Sequence, residues 1–221
     1  MGLNEAKGNM YSWVTHTWNT VKGACPHGCS YCYMKRFGKQ SELHFDKKEL
    51  ETNLGCDNVI FVGSSCDMFA KDIPENWIIR TLFHAQEYPN NYLYQTKNPA
   101  RLIEFAHELF YLDRVCTTIE TNRFYPKIMG NTPKPEERAT AFSKYPFNRF
   151  LTIEPVMDFD IDEMIELVKL CNPVQVNIGA DSGNNHLPEP SREKLLTFIG
   201  TLSEFTQIDQ KRNLDRLIKT W

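Results

Sequence analysis

Six short apolar runs, each followed by a stretch with helical periodicity, limit what this chain can fold into more than any other feature. The runs are YSWVTHTW (11–18), NVIFVGS (58–64), NYLYQT (91–96), RVCTTIE (114–120), RFLTIEP (149–155) and VQVNIGA (174–180). Runs rich in Val, Ile, Phe, Tyr and Thr and bounded by turn residues read as buried strands. Between them, PENWIIRTLFHAQEY opens with Pro74 in a first helical turn, and NPARLIEFAHELFY (98–111) offers Asn98 as an N-cap before Pro99. KPEERATAFSKY, DIDEMIELVKL and SREKLLTFIGTLSEF (191–205) complete the series, the last capped by Ser191. Strand–helix alternation dictates right-handed crossovers and a parallel sheet. Six units fall short of the eight that close a barrel. The expected fold is α/β, a partial (β/α)6 TIM-like barrel with parallel strands, open on one side. A C-terminal helix over about 207–221, ending in KRNLDRLIKTW, is expected to cover that flank.

The 221 residues suit a single domain (1–221), with no low-complexity tract, repeat or long linker to divide them. Charge is nearly balanced, 25 Lys+Arg against 28 Asp+Glu, so no nucleic-acid partner is advertised globally. The N-terminus lacks a signal-peptide core, and no apolar run approaches the roughly 18 residues of a membrane span. Met1-Gly2 suggests acylation, but Ala6 stands where Ser or Thr is required. A cytoplasmic location with no membrane partner is expected, and the seven cysteines are expected to be reduced.

In parallel α/β sheets, ligands bind where the C-terminal ends of the strands meet the loops that follow. Here those ends carry Trp18-Asn19, Gly63-Ser64-Ser65-Cys66-Asp67, Thr96-Lys97-Asn98, Glu120-Thr121-Asn122, Glu154-Pro155, and Asn177 onward to Asp181-Ser182. At the same rim, after the first strand, KGACPHGCSYCYMKRF crowds Cys25, Cys29 and Cys32 into eight residues. Three thiolates can hold three corners of a cubane iron–sulfur cluster and leave the fourth iron to a non-protein ligand. A structural zinc would need a fourth protein ligand. His27 could nominally serve, but one tight loop can hardly wrap four adjacent ligands around a tetrahedral ion. Unligated thiols are the remaining reading. Pro26 and Gly28 suit a loop that must bend its sulfurs together.

Cys25-x3-Cys29-x2-Cys32, with Tyr31 before the last cysteine, resembles the signature of radical S-adenosylmethionine (SAM) enzymes. TWNTVKGACPHGCSYCYMKRF, VGSSCDMF, TKNPARL and TTIETNR together resemble small phage-associated members of that superfamily, distantly related to spore photoproduct lyase. The resemblance implies a 4Fe–4S cluster on Cys25, Cys29 and Cys32, with SAM chelating the open iron. It also implies an external one-electron reductant, cleavage of SAM to a 5′-deoxyadenosyl radical, and hydrogen abstraction from a substrate, a nucleic acid, a nucleotide or a partner protein. Tyr31 matches the bulky residue beside the adenine. Gly63, Ser64 and Ser65 stand where relatives have Gly-Gly-Glu for the SAM amino group, and Asp67 is the nearest carboxylate. Lys97 matches a position that offsets the SAM carboxylate, and Thr118 and Glu120 match the ribose region. Glu154, Asn177 and Gly179 match the pocket wall. Cys66 matches a hydrogen-atom donor.

Plainer readings stand beside these. Cys66 could be a small buried residue, and Cys56, Cys116 and Cys171 are expected in or near the core. Glu120 and Glu154 end strands in apolar contexts and need partners or a ligand. His16 reads as a hydrogen-bonded interior histidine. MKRF and DKKEL read as solvated charge, or with Arg123 and Lys127 as a phosphate-binding patch. The competing functions are a zinc-binding structural or interaction module and a non-catalytic relative that binds SAM or nucleic acid.

Overall fold

Each of the six apolar runs contains a strand, and every strand pairs in the expected direction. The computed structural model describes residues 3–219. Met1-Gly2 and the last two residues of the expected C-terminal helix lie outside them. A minor strand β1 (Asn4–Glu5) precedes β2 (His16–Trp18); β3 (Val21–Lys22) and β4 (His44–Phe45) form a separate antiparallel ribbon. The barrel strands are then β5 (Val59–Val62), β6 (Asn91–Thr96), β7 (Arg114–Thr118), β8 (Arg149–Ile153), β9 (Gln175–Ile178) and β10 (Gln207–Gln210). Sheet order is β1-β2-β5-β6-β7-β8-β9-β10, parallel from β2 onward with β1 antiparallel at the edge. The two edges do not pair with each other, so the barrel stays open.

Helices α1 (Glu75–Gln86), α2 (Pro99–Glu104), α3 (Pro126–Met129), α4 (Pro135–Phe142), α5 (Ile161–Cys171), α6 (Arg192–Leu202) and α7 (Asp215–Ile218) follow the strands. Proline occupies the first turn of α2, α3 and α4, where a missing N–H costs nothing. Ser191 caps α6 by accepting from Lys194 N. Asn98 sits at the N-cap of α2 but spends its amide elsewhere, donating to the Phe69 carbonyl at 3.1 Å.

The side-chain alternation of the strands sorts the core into two faces. Ile60, Tyr92, Tyr94, Val115, Leu151 and Val176 pack under the helices. Val59, Phe61, Leu93, Cys116 and Phe150 point to the concave side. Burial on both faces explains why the central runs read as nearly continuous apolar segments.

Three expectations are corrected. Only His16–Trp18 of the first run is strand. Tyr11, Trp13 and Val14 instead plug the concave face, with Tyr11 stacked on Trp13 at 5.2 Å. Gln207–Gln210, expected to begin a helix, is a seventh parallel strand paired with β9. Main-chain pairing with the open edge of β9 determines it, since QIDQ has little apolar pattern of its own. Helical turns cover only Arg212–Leu214 and Asp215–Ile218, where Leu214 and Ile218 join the core and Arg192 Nε donates to the Ile218 carbonyl. Cys56 is exposed, whereas Cys116 and Cys171 are buried as expected. No described helix is long and apolar enough to cross a membrane.

Candidate functional site: the cysteine loop and the mouth of the barrel

The cysteine loop is held from two sides. Ala24 N donates to the Ser41 carbonyl beside the β3/β4 ribbon. On the other side, Ser30 N donates to the Ile128 carbonyl at 2.8 Å, and Asn131 N donates to the His27 carbonyl at 2.7 Å. Asn131 Nδ2 reaches the Pro26 carbonyl, and Cys29 Sγ reaches the Met129 carbonyl at 3.4 Å. The turn at 126–131 is thus a cradle for the loop. Gly130 is required there: its φ is +66°, and a Cβ would meet the His27 carbonyl oxygen at 2.1 Å.

His27 is committed to a carboxylate. Its Nε2 lies 2.8 Å from Asp67 Oδ2, and both side chains are buried. The same Oδ2 accepts from Thr96 Oγ1 at 2.9 Å and Lys97 N at 2.8 Å, while Oδ1 accepts from Phe69 N at 3.0 Å. Burial alone would raise the Asp67 pKa, but these donors hold it below the usual carboxylate value, and Asp67 in turn holds His27 above its ordinary value against burial.

Cys66 is buried at the exit of β5. Its thiol neighbours Cys25, which lowers the Cys25 pKa to about 6 and, with burial, raises that of Cys66.

Tyr31, between the second and third cysteines, donates its hydroxyl to Glu120 Oε1. Glu120 is fully buried and pairs with Arg138 Nη1 at 2.8 Å, with Lys97 Nζ 3.9 Å away. Burial would push Glu120 up, but Arg138 and Lys97 keep it ionised below its ordinary value. Lys97 Nζ also lies 5.5 Å from the centre of the Tyr31 ring. Tyr31 and Glu120, expected to flank SAM separately, are bonded to each other.

The rest of the concave face is polar toward the mouth. Gln95 accepts from Tyr11 Oη at 2.8 Å and donates to Thr118 Oγ1 at 3.3 Å. Buried Asn177 accepts from Gln175 Nε2 and donates to the Leu151 carbonyl. Glu154 accepts from Asn9 Nδ2 and Lys211 Nζ at 2.7 Å each and from Asn213 Nδ2 at 3.1 Å. A Cβ on Gly179 would lie 2.7 Å from that carboxylate, so the strand passes Glu154 as bare backbone. At the exit of β5, Asn19 Oδ1 accepts from Ser65 N and Ser64 Oγ, while the buried Ser65 hydroxyl has no partner. Gly63 makes this turn with φ +77°.

The expected residues therefore gather at one mouth, but Asp67, Glu120 and Glu154 already have protein partners. Sequence reasoning passed over Asn9, Arg138, Lys211, Asn213 and the 126–131 cradle. Arg138 carried a signal: it shares the apolar stripe of α4 with Pro135, Ala139 and Phe142, a position that demands a buried anion. Arg123, considered as a phosphate contact, is committed to Asp158 and Asp160 at 2.6 Å each.

Among the described residues, no three His, Cys, Asp or Glu side chains converge on one ion position. A tetrahedral zinc requires such convergence. A cubane does not, because each thiolate holds its own iron. Three disulfide-free thiols lie on one anchored loop, with the unpartnered Ser65 hydroxyl at the neighbouring strand exit, a set that can serve three separately ligated irons.

The model of a family described as "Protein of unknown function (DUF5131)" matches residues 9–192, and the chain belongs to that family. Among solved structures the chain is similar to a single-residue variant of spore photoproduct lyase, with TM-score 0.57 and 10% identity over 80% of this chain and 60% of that one. A further variant, with bound AdoMet and dinucleoside spore photoproduct, gives 0.55 and 11% identity over 92% of this chain and 66% of that one. Spore photoproduct lyase complexed with dinucleoside spore photoproduct gives 0.52 and 10% over 90% and 64%. The chain thus spans about 60% of the first structure, and the likeness is one of fold: a partial parallel barrel. No curated protein matches the chain.

Proposed function

We propose that this protein is a radical SAM enzyme, with Cys25, Cys29 and Cys32 holding three irons of a 4Fe–4S cluster. One observation carries the reading: three thiols sit on one braced loop at the barrel mouth, and the loop's own imidazole, His27, is committed to Asp67. When bound, the cluster and SAM supply reductive cleavage to a 5′-deoxyadenosyl radical that takes hydrogen from the substrate. The likeness to spore photoproduct lyase, one structure of which holds AdoMet, supports the same reading.

The chain's own residues bind and orient. Cys25, Cys29 and Cys32 would be the ligands. Ser65, whose buried hydroxyl lacks a partner, would take the SAM amino group with the Gly63–Ser64 backbone. Asp67, with both oxygens occupied, braces the loop. Lys97 would offset the SAM carboxylate, Tyr31 would lie by the adenine, and Thr118 and Glu120 would serve the ribose side. Glu154, Asn177 and Gly179 form the far wall. Cys66 is the thiol that would hand a hydrogen atom to a product radical and be left as a thiyl radical. An external one-electron reductant and a reducing compartment such as the cytoplasm suit these free thiols.

The test is anaerobic reconstitution with iron and sulfide, reduction, and addition of SAM. 5′-Deoxyadenosine is expected, and Cys29→Ala should lose the visible absorbance of the cluster. An intact cluster that binds SAM without cleaving it would overturn the enzymatic reading and leave a binding protein. Stoichiometric zinc without iron or sulfide would overturn the cluster itself.

A further inference from the structure

The third cysteine runs directly into a five-residue 3-10 helix, Tyr33–Phe37, whose side chains the site does not use. Tyr33 is 42% exposed and Phe37 68%, unusual for large aromatics on one short turn. Their rings meet edge to face with centroids 6.5 Å apart. The Arg36 guanidinium carbon lies 5.5 Å from the Tyr33 ring centre and 5.9 Å from that of Phe37. Arg36 Nε is fixed by the Tyr33 carbonyl. Among the described residues, no carboxylate pairs with Lys35, Arg36 or Lys39, whereas Lys22, Arg123, Arg138 and Lys211 each have one. Tyr33 Oη donates to the Ser64 carbonyl at 2.8 Å, which joins this turn to the exit of β5 and hence to the mouth.

Open aromatic faces interleaved with unpaired cations match one class of ligand. Unstacked bases lie on π-faces while phosphates take the cations, without sequence readout. A duplex hides its base faces and gives Phe37 nothing to cover. We propose that Tyr33, Arg36 and Phe37, with Lys35 and Lys39, are a docking surface for single-stranded nucleic acid that delivers a nucleotide to the mouth. The role of that ligand as substrate rests on the radical SAM reading; the docking surface does not. The near-neutral whole chain is no obstacle, because the charge that acts is local.

Fluorescence anisotropy of the reconstituted full chain with labelled oligothymidine, and with the same strand paired to oligoadenine, tests the proposal. The single strand should bind more tightly than the duplex. Phe37→Ala should weaken single-strand binding about 5- to 100-fold. Lys35→Glu with Lys39→Glu should weaken it and reduce the salt slope by about 1.4. 5′-Deoxyadenosine formation without oligonucleotide should be unchanged in both variants. Binding that is the same in wild type and variants overturns the proposal, as does a protein that forms 5′-deoxyadenosine yet ignores oligothymidine. It is equally overturned if the variants bind oligothymidine normally and instead lose reduction by an acidic electron-carrier protein. If the variants lose binding as expected while 5′-deoxyadenosine never forms, the surface stands and the radical reading falls.

Discussion

His27 Nε2 and Asp67 Oδ2, 2.8 Å apart and both buried, join the cysteine loop to the exit of the second parallel strand. Asp67 also receives Thr96, Lys97 and Phe69, so it ties the loop to the third parallel strand as well. Removing a buried acceptor with this many donors costs about 3–5 kcal/mol. Asp67→Ala should lower the denaturation midpoint accordingly and reduce iron incorporated on reconstitution. His27→Ala, which leaves three donors satisfied, should cost about 1–3 kcal/mol. Equal midpoints for wild type and Asp67→Ala would remove the brace from the account.

Glu120 and Arg138 form an ion pair from which solvent is wholly excluded. Taking away one partner leaves the other charged and buried, a loss of about 3–5 kcal/mol. Urea unfolding of Glu120→Gln and Arg138→Met should each show it, and the double variant should cost less than the sum. Additive losses in that cycle would mean the two residues act independently.

Gly130 and Gly28 give a matched pair of backbone tests. Both have positive φ, +66° and +65°, but only Gly130 also faces a carbonyl oxygen at 2.1 Å; Gly28 has nothing within 4 Å. Gly28→Ala should cost about 1 kcal/mol of conformational strain. Gly130→Ala adds a clash that must move His27, and should both destabilise the protein more and impair cluster loading. Thermal midpoints and iron content compare the two directly.

Asp113 sits far from the mouth and sets a pH dependence of its own. Its carboxylate is buried, accepting from Phe110 N and Tyr92 N, and burial raises its pKa to about 6 despite those bonds. The unfolded value is about 3.9. The folded state therefore holds a proton more tightly, and stability falls as pH rises from about 4 to 6, then levels off. Relative to Asp113→Asn, wild type should gain about 2 kcal/mol between pH 7 and pH 4. Chemical unfolding of both proteins at the two pH values reads this, and a constant difference would count against a raised pKa.

The six strands were legible because central parallel strands are buried on both faces, which forces short dense apolar stretches such as the Tyr92-Leu93-Tyr94 of NYLYQT. β10 was not legible: at an edge, QIDQ takes its conformation from main-chain pairing with β9 and needs no apolar signature. The cysteine spacing located the mouth, since ligands on one loop must be close in sequence. Partners contributed from elsewhere leave no such mark. Asn9, Lys211 and Asn213 look like ordinary surface residues until the fold brings them to Glu154. The 126–131 cradle acts through backbone carbonyls, for which the chain offers only Gly130 as a hint.

Glu154 is bonded to Asn9 across 145 residues and to Lys211 and Asn213 across 57 and 59. Contacts so remote must wait for large loops to close. During synthesis the cysteine loop emerges well before the strand that completes the wall opposite it. The thiols thus wait beside an unfinished pocket, and the mouth takes its final form only when β10 joins the sheet and Lys211 reaches Glu154.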